Sequence, residues 1–270
     1  MPITPNDYMP VLKWRQGEYQ GLMRLSDSVK DRTVPLIEVT PPDFDFELQK
    51  PTKTIDEHLC NFAKRFDDKW GKRRALLDCS LLPASMRMGD FRHPLQFLGE
   101  EIASTGNAII PVVRLSSDPA YREAVSMVEA QTLGGVALRC SLDEAIDPDL
   151  DTHVENLLEG LQLEVAELDV VLDLASPTWE PESGLVALVK MAISGSDVFA
   201  NSRSVTIVGS SFPDSMGAVT GPLEFWPRRE WSLYRALLAA IDASTRRPGF
   251  GDYACGAACK IDPLSGVIGV

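Results

Sequence analysis

Short apolar runs of strand length punctuate the chain near residues 8–14, 34–39, 74–79, 109–115, 135–140, 169–174 and 204–209, with a weaker one at 250–254. They are rich in Val, Ile and Leu and nearly continuous. A strand with one wet face would instead alternate apolar and polar positions. Between the runs, apolar residues return every three or four positions, the helical period, as in "TIDEHLCNFAKRFDDKW", "PLQFLGEEIAST", "AYREAVSMVEAQ", "VENLLEGLQLEVAE", "LVALVKMAIS" and "EWSLYRALLAAIDAS". The first link, "GEYQGLMRLSDSV", is shorter but keeps the pattern.

Strands buried on both faces and separated by helices imply parallel pairing through right-handed crossovers. Eight such units in 270 residues match the repeat of a (β/α)8 barrel, for which about 250 residues is usual. The expected organisation is one barrel domain over residues 1–270. A doubly wound open sheet is the competitor, disfavoured by the strand count and by the lack of a G-x-G-x-x-G or G-x-x-x-x-G-K phosphate turn. After "GFGDYACG" only "AACKIDPLSGVIGV" remains, too short and glycine-rich for a full covering helix. Either the barrel closes without its last helix, or a C-terminal piece is missing. The long loops "TPPDFDFELQKPTK" and "SSFPDSMGAVTGPLEFWP" follow the second and seventh runs, which places them on the C-terminal face.

The runs share an ending. "YMPVLK" closes on Lys13, "VPLIE" on Glu38, "ALLD" on Asp78, "IIPVVR" on Arg114, "GVALR" on Arg139 and "DVVLD" on Asp173. Ser210 or Ser211 and then Asp252 follow from the last two runs. In a barrel the C-terminal strand ends point at the mouth that carries the active site. An unpaired charge rarely ends an apolar strand, because burying one costs several kcal/mol. A purely structural reading stands beside the functional one: strand ends border loops, where charges reach water or pair across the mouth.

The two arginines and the lysine suit a phosphate or carboxylate. Lys13, Glu18, Arg114, Arg139, Ser211 and Asp252 are therefore the candidate ligand-binding set, and Glu38, Asp78 and Asp173 the candidate catalytic carboxylates. With Asp252, these acids could hold Mg2+ or another divalent cation, which takes oxygen ligands and assists phosphodiester cleavage. Without a metal they are general bases or ion-pair partners. In "KWRQGEY", Gly17 permits a tight turn and Glu18 opens the following helix, where a carboxylate is favoured by the exposed amides; helix start and chemistry are both open roles for it. Trp179, Trp226 and Trp231 suit either an aromatic wall or loop packing. Cys79 and Cys140 follow mouth residues, but no histidine shares a strand end with them, which disfavours thiol chemistry.

The net charge of −13, from 39 acidic and 26 basic residues, opposes a broad nucleic-acid surface. Five scattered cysteines fit reduced thiols better than a disulfide framework, and the Cys255/Cys259 pair lacks the partners of a zinc site. No run reaches the roughly 18 apolar residues of a membrane span. The start carries no basic segment followed by an apolar one, so a cytoplasmic location is expected.

"YMPVLKWRQGEYQGLMRL" followed by "VPLIEVTPP", and the later "PGFGDYACG", resemble the phage and bacterial Beta family, the phage-satellite Beta protein and its bacterial relatives. The resemblance runs from residue 8 to about 256. It makes Lys13, Gly17, Glu18, Pro35, Glu38 and Asp252 the matching motif positions. It implies a link to phage–host conflict and antiviral defence but no molecular activity; the charged strand ends themselves leave two expected activities. One is binding, or metal-assisted hydrolysis, of a phosphate-bearing small molecule or nucleotide. The other is a non-catalytic sensor or a partner subunit within a defence locus.

Overall fold

The computed structural model describes residues 3–212 and 225–254. All eight runs become parallel strands of one closed barrel: β1 (Tyr8–Lys13), β2 (Leu36–Glu38), β5 (Leu76–Asp78), β6 (Ile110–Val113), β7 (Val136–Ser141), β8 (Leu168–Asp173), β9 (Ser204–Gly209) and β10 (Gly249–Tyr253). Their order around the barrel is β1-β10-β9-β8-β7-β6-β5-β2. Closure comes from β1, which pairs with β2 on one side and with β10 on the other, Tyr8 to Val11 facing Phe250 to Tyr253. The doubly wound alternative is thereby excluded. The loop after β2 contributes a small antiparallel hairpin that periodicity did not signal, β3 (Phe44–Asp45) and β4 (Lys50–Pro51).

The helices follow the expected segments: α1 (Gln16–Arg24) and α2 (Asp27–Lys30), α3 (Ile55–Leu59) and α4 (Phe62–Lys69), α5 (Pro94–Ser104), α6 (Pro119–Thr132), α7 (Leu142–Ala145), α8 (Leu150–Leu161), α9 (Glu182–Gly195), α10 (Asp197–Asn201) and α11 (Arg229–Ala240). Their starts carry recognisable chemistry. Thr54 and Glu57 form a reciprocal capping box on α3. Asp118 accepts from the Ala120 and Tyr121 amides ahead of Pro119 on α6. The stretch read as one helix over residues 54–70 breaks at Cys60–Asn61 into two. The short α7 and α10 are too brief for periodicity to reveal.

Alternation along the strands explains the near-continuous apolar runs. One set of side chains fills the barrel interior: Val11, Leu36, Leu76, Val112, Ala137, Val171 and Val208. The intervening set, including Leu12, Ile37, Leu77, Val113, Leu138, Leu172 and Ile207, packs against the helices. At two glycines the packing tolerates no side chain. A Cβ on Gly251 would lie 2.4 Å from the Met9 carbonyl oxygen, and one on Gly135 (φ +71°) would lie 2.1 Å from the Glu167 carbonyl oxygen. Residues 255–270, which include the Cys255/Cys259 pair and the tail expected to be too short for a covering helix, lie outside the described residues.

Candidate functional site at the barrel mouth

Two residues beyond each interior side chain, on the same face of its strand, stands a polar layer: Lys13, Glu38, Asp78, Arg114, Arg139, Asp173, Ser210 and Tyr253. Lys13, Glu38 and Asp78 are direct register partners on β1, β2 and β5. The chain thus places one pleat of charge on top of one pleat of hydrocarbon.

Arg139 is the hub. Its Nη1 donates to Glu38 Oε1 at 2.8 Å and to Asp78 Oδ2 at 2.7 Å, and its Nε donates to Asp173 Oδ2 at 2.8 Å. Nη2 donates to the Tyr253 hydroxyl at 2.7 Å, and that hydroxyl donates onward to Asp173 Oδ2 at 2.7 Å. The guanidinium side chain is only 3% exposed. Burial works against its charge, but Tyr253, Asp173, Glu38 and Asp78 outweigh burial and hold it well above its ordinary range. Burial lifts the Tyr253 hydroxyl, with Asp173 and Glu38 adding to it, so the phenol keeps its proton. At Asp78 burial is opposed by Arg114, Arg139 and Ser80, which together bring its carboxyl below the usual range. One oxygen, Glu38 Oε2, is buried without a partner.

Arg114 and Lys13 are placed differently. The Arg114 side chain is 22% exposed, with Nη2 3.6 Å from Asp78 Oδ2 and Nε donating to Ser80 Oγ at 3.1 Å. Lys13 is half-buried and forms no ion pair among the described residues. Glu18, in the first turn of α1, has its pKa pushed up to about 7. Burial is the largest cause and nearby Glu38 adds to it, while Lys13 and Arg15 pull the other way.

The mouth therefore gathers Lys13, Glu18, Glu38, Asp78, Arg114, Arg139 and Asp173. It does not gather Asp252 or Ser211, and here the expectation of one convergent set is corrected. Asp252 is the register partner of Pro10 and points to the helical layer, accepting hydrogen bonds from the Tyr8 hydroxyl and from Arg228. Ser211 Oγ faces the start of α11, donating to Glu230 and accepting from the Arg229 amide at 3.2 Å. The inward residues at those strand ends are Tyr253 and Ser210, one position away in each case. Aligning runs by their ends cannot separate neighbours of opposite parity; the pairing of β10 with β1 is what sets Tyr253, opposite Val11, on the inward face.

The carboxylates do not fit a divalent ion. Glu38, Asp78 and Asp173 already surround the Arg139 guanidinium, which sits where a shared cation would, and Asp252 faces away. Among the described residues no group of three or more His, Cys, Asp or Glu has a metal-holding arrangement. Trp231 packs on Tyr234 and Phe250, and Trp226 donates to the Ser211 carbonyl at 2.6 Å. Trp179 is packed against the core. Cys79 and Cys140 are buried, and burial raises both thiols.

The family model described as Beta protein matches residues 8–267 of the chain, a span that runs from "YMPVLK" past "GFGDY". The chain belongs to the Beta protein family. This Beta-family barrel is also similar to the crystal structure of triosephosphate isomerase from Bartonella henselae, at 13% identity and TM-score 0.43, over 92% of each chain. A likeness at that level carries no argument about chemistry. No curated protein matches the chain. Among the described residues of the Beta-family barrel, no helix is long and apolar enough to cross a membrane.

Proposed function

We propose that the barrel mouth binds a small phosphate-bearing ligand, a nucleotide being the leading class, with Lys13 and Arg114 as its anion contacts. The observation that carries this reading is the division of labour among the cations. Arg139 is consumed by three carboxylates, whereas Lys13 has no acid paired to it among the described residues and Arg114 keeps a solvent-facing edge. Arg114 supplies a fork and Lys13 a point charge, the two usual ways of meeting phosphate oxygens. Arg139 then acts as a positioning residue that locks the floor.

Glu18 is the group suited to proton exchange, since an acid titrating near neutral pH can both give and take a proton there. Hydrolysis in this scheme runs through Glu18, with Glu38, Asp78 and Asp173 as structural partners of Arg139. A second reading, a non-catalytic sensor, is favoured by the same hub, because it leaves none of the three floor carboxylates uncommitted. The family's phage association supports setting either activity in antiviral defence inside the bacterial cytoplasm.

A panel of nucleotides and short oligonucleotides, with Mg2+, Mn2+ or EDTA, tests the proposal by thermal shift and product analysis. Binding that Lys13→Ala and Arg114→Ala each weaken about tenfold supports the anion site. Product that disappears in Glu18→Gln makes it an enzyme; binding without product under any condition makes it a sensor. No phosphate-bearing ligand binding at all ends the proposal.

A further inference from the structure

The net charge of this chain is not spread over it. Residues 141–201 hold 14 of the 39 acidic residues and a single basic one, Lys190, while the other 209 residues carry 25 of each sign. That segment builds β8, whose end carries the mouth residue Asp173, and the α7–α10 flank of the barrel. Ten of its acids are exposed.

On this flank, between α8 and α10, lies a groove of about 500 Å³. Its floor is apolar, formed by Leu158, Leu163, Val165 and Val198. Its rim carries Glu155, Glu159, Glu164 and Asp197, all exposed, and no basic residue lines it. None of these four acids forms an ion pair among the described residues. A fifth acid, Asp151, is committed elsewhere: it accepts from Ser196 Oγ at 2.5 Å and from the Asp197 and Val198 amides, which caps α10 and fixes one wall. The groove is therefore a fixed apolar trough between uncompensated carboxylates.

We propose that this groove docks a basic amphipathic segment of a partner protein, its apolar residues on the floor and its Lys or Arg residues against the rim. Charge sign selects the partner. Nucleic acids and anionic lipid surfaces are repelled by a flank of this sign, and a bare polycation leaves the hydrocarbon floor uncovered. A helix with anchors every three or four residues satisfies both halves of the trough, and the long-range field of the flank speeds its arrival.

The test uses the full chain and a synthetic Leu/Lys peptide with leucines at helical spacing, beside a scrambled peptide of the same composition. The expected result is binding at least about tenfold tighter for the helical-spaced peptide, with hydrogen-exchange protection confined to residues 154–165 and 197–201. Glu155→Lys with Glu159→Lys should weaken it about tenfold, while Asp43→Lys with Glu47→Lys on the β3–β4 hairpin should change it by less than about twofold. Equal binding of the scrambled peptide, protection centred elsewhere, or equal loss from the hairpin reversals would each overturn the proposal. Spermine protecting the same amides as well as the peptide does would overturn it too, reassigning the groove to small polycations. The exchange footprint needs no variant, so it stands even if the double substitution fails to fold.

Discussion

Arg139 and Glu38 lie 101 positions apart in the chain, yet Arg139 Nη1 donates to Glu38 Oε1 at 2.8 Å inside the barrel mouth. The same guanidinium also holds Asp78 and Asp173, so strands β2, β5, β7 and β8 are joined through one side chain. A buried cation shared by three acids makes a rigid floor on which exposed groups can be positioned.

Removing that cation should be severe. Arg139→Leu leaves three buried carboxylates without their donor, and truncating one partner of a buried ion pair costs about 3–5 kcal/mol. Urea denaturation should show a loss of that order. Arg139→Lys should recover little of it, because an ammonium cannot meet acids lying in different directions.

Tyr253→Phe is the milder probe of the same floor. It deletes one hydroxyl that accepts from Arg139 and donates to Asp173. A loss of about 1–3 kcal/mol is expected, the range for unsatisfying a buried charged partner, with the barrel intact by circular dichroism.

Glu18 should give the fold a pH dependence near neutrality. Its folded pKa, about 7, stands above the ordinary glutamate value of 4.5. The folded state therefore binds the proton more tightly than the unfolded one, and the associated stability is complete below about pH 4.5 and lost as pH rises through about 7. Melting temperatures measured from pH 5 to pH 8 should fall more in the native chain than in Glu18→Gln. Parallel curves would remove Glu18 as the titrating group.

Gly251→Ala should disrupt barrel closure. The added methyl meets the Met9 carbonyl oxygen at 2.4 Å and Val208 Cγ1 at 2.6 Å, so β10 must shift away from β1 and β9. Overpacking of this kind costs about 1–3 kcal/mol. Faster hydrogen exchange should appear first in residues 8–11 and 249–253.

Much of the molecule was legible in the chain itself. Near-continuous apolar runs announced strands covered on both faces, helical spacing between them announced crossovers, and a charge at the end of six runs marked the mouth. Those are local properties, set by backbone period and by the cost of burying charge, so sequence alone determined the barrel and most of its polar layer. Tertiary structure decided which of those charges face one another. Asp252 turned outward and Tyr253 inward because pairing with β1 fixes the parity of β10, and "GFGDY" offers no apolar alternation from which parity can be read. That Arg139 pairs with Glu38, Asp78 and Asp173 follows from closure of the cylinder, which brings side chains from four strands within hydrogen-bond reach. No local rule contains that distance.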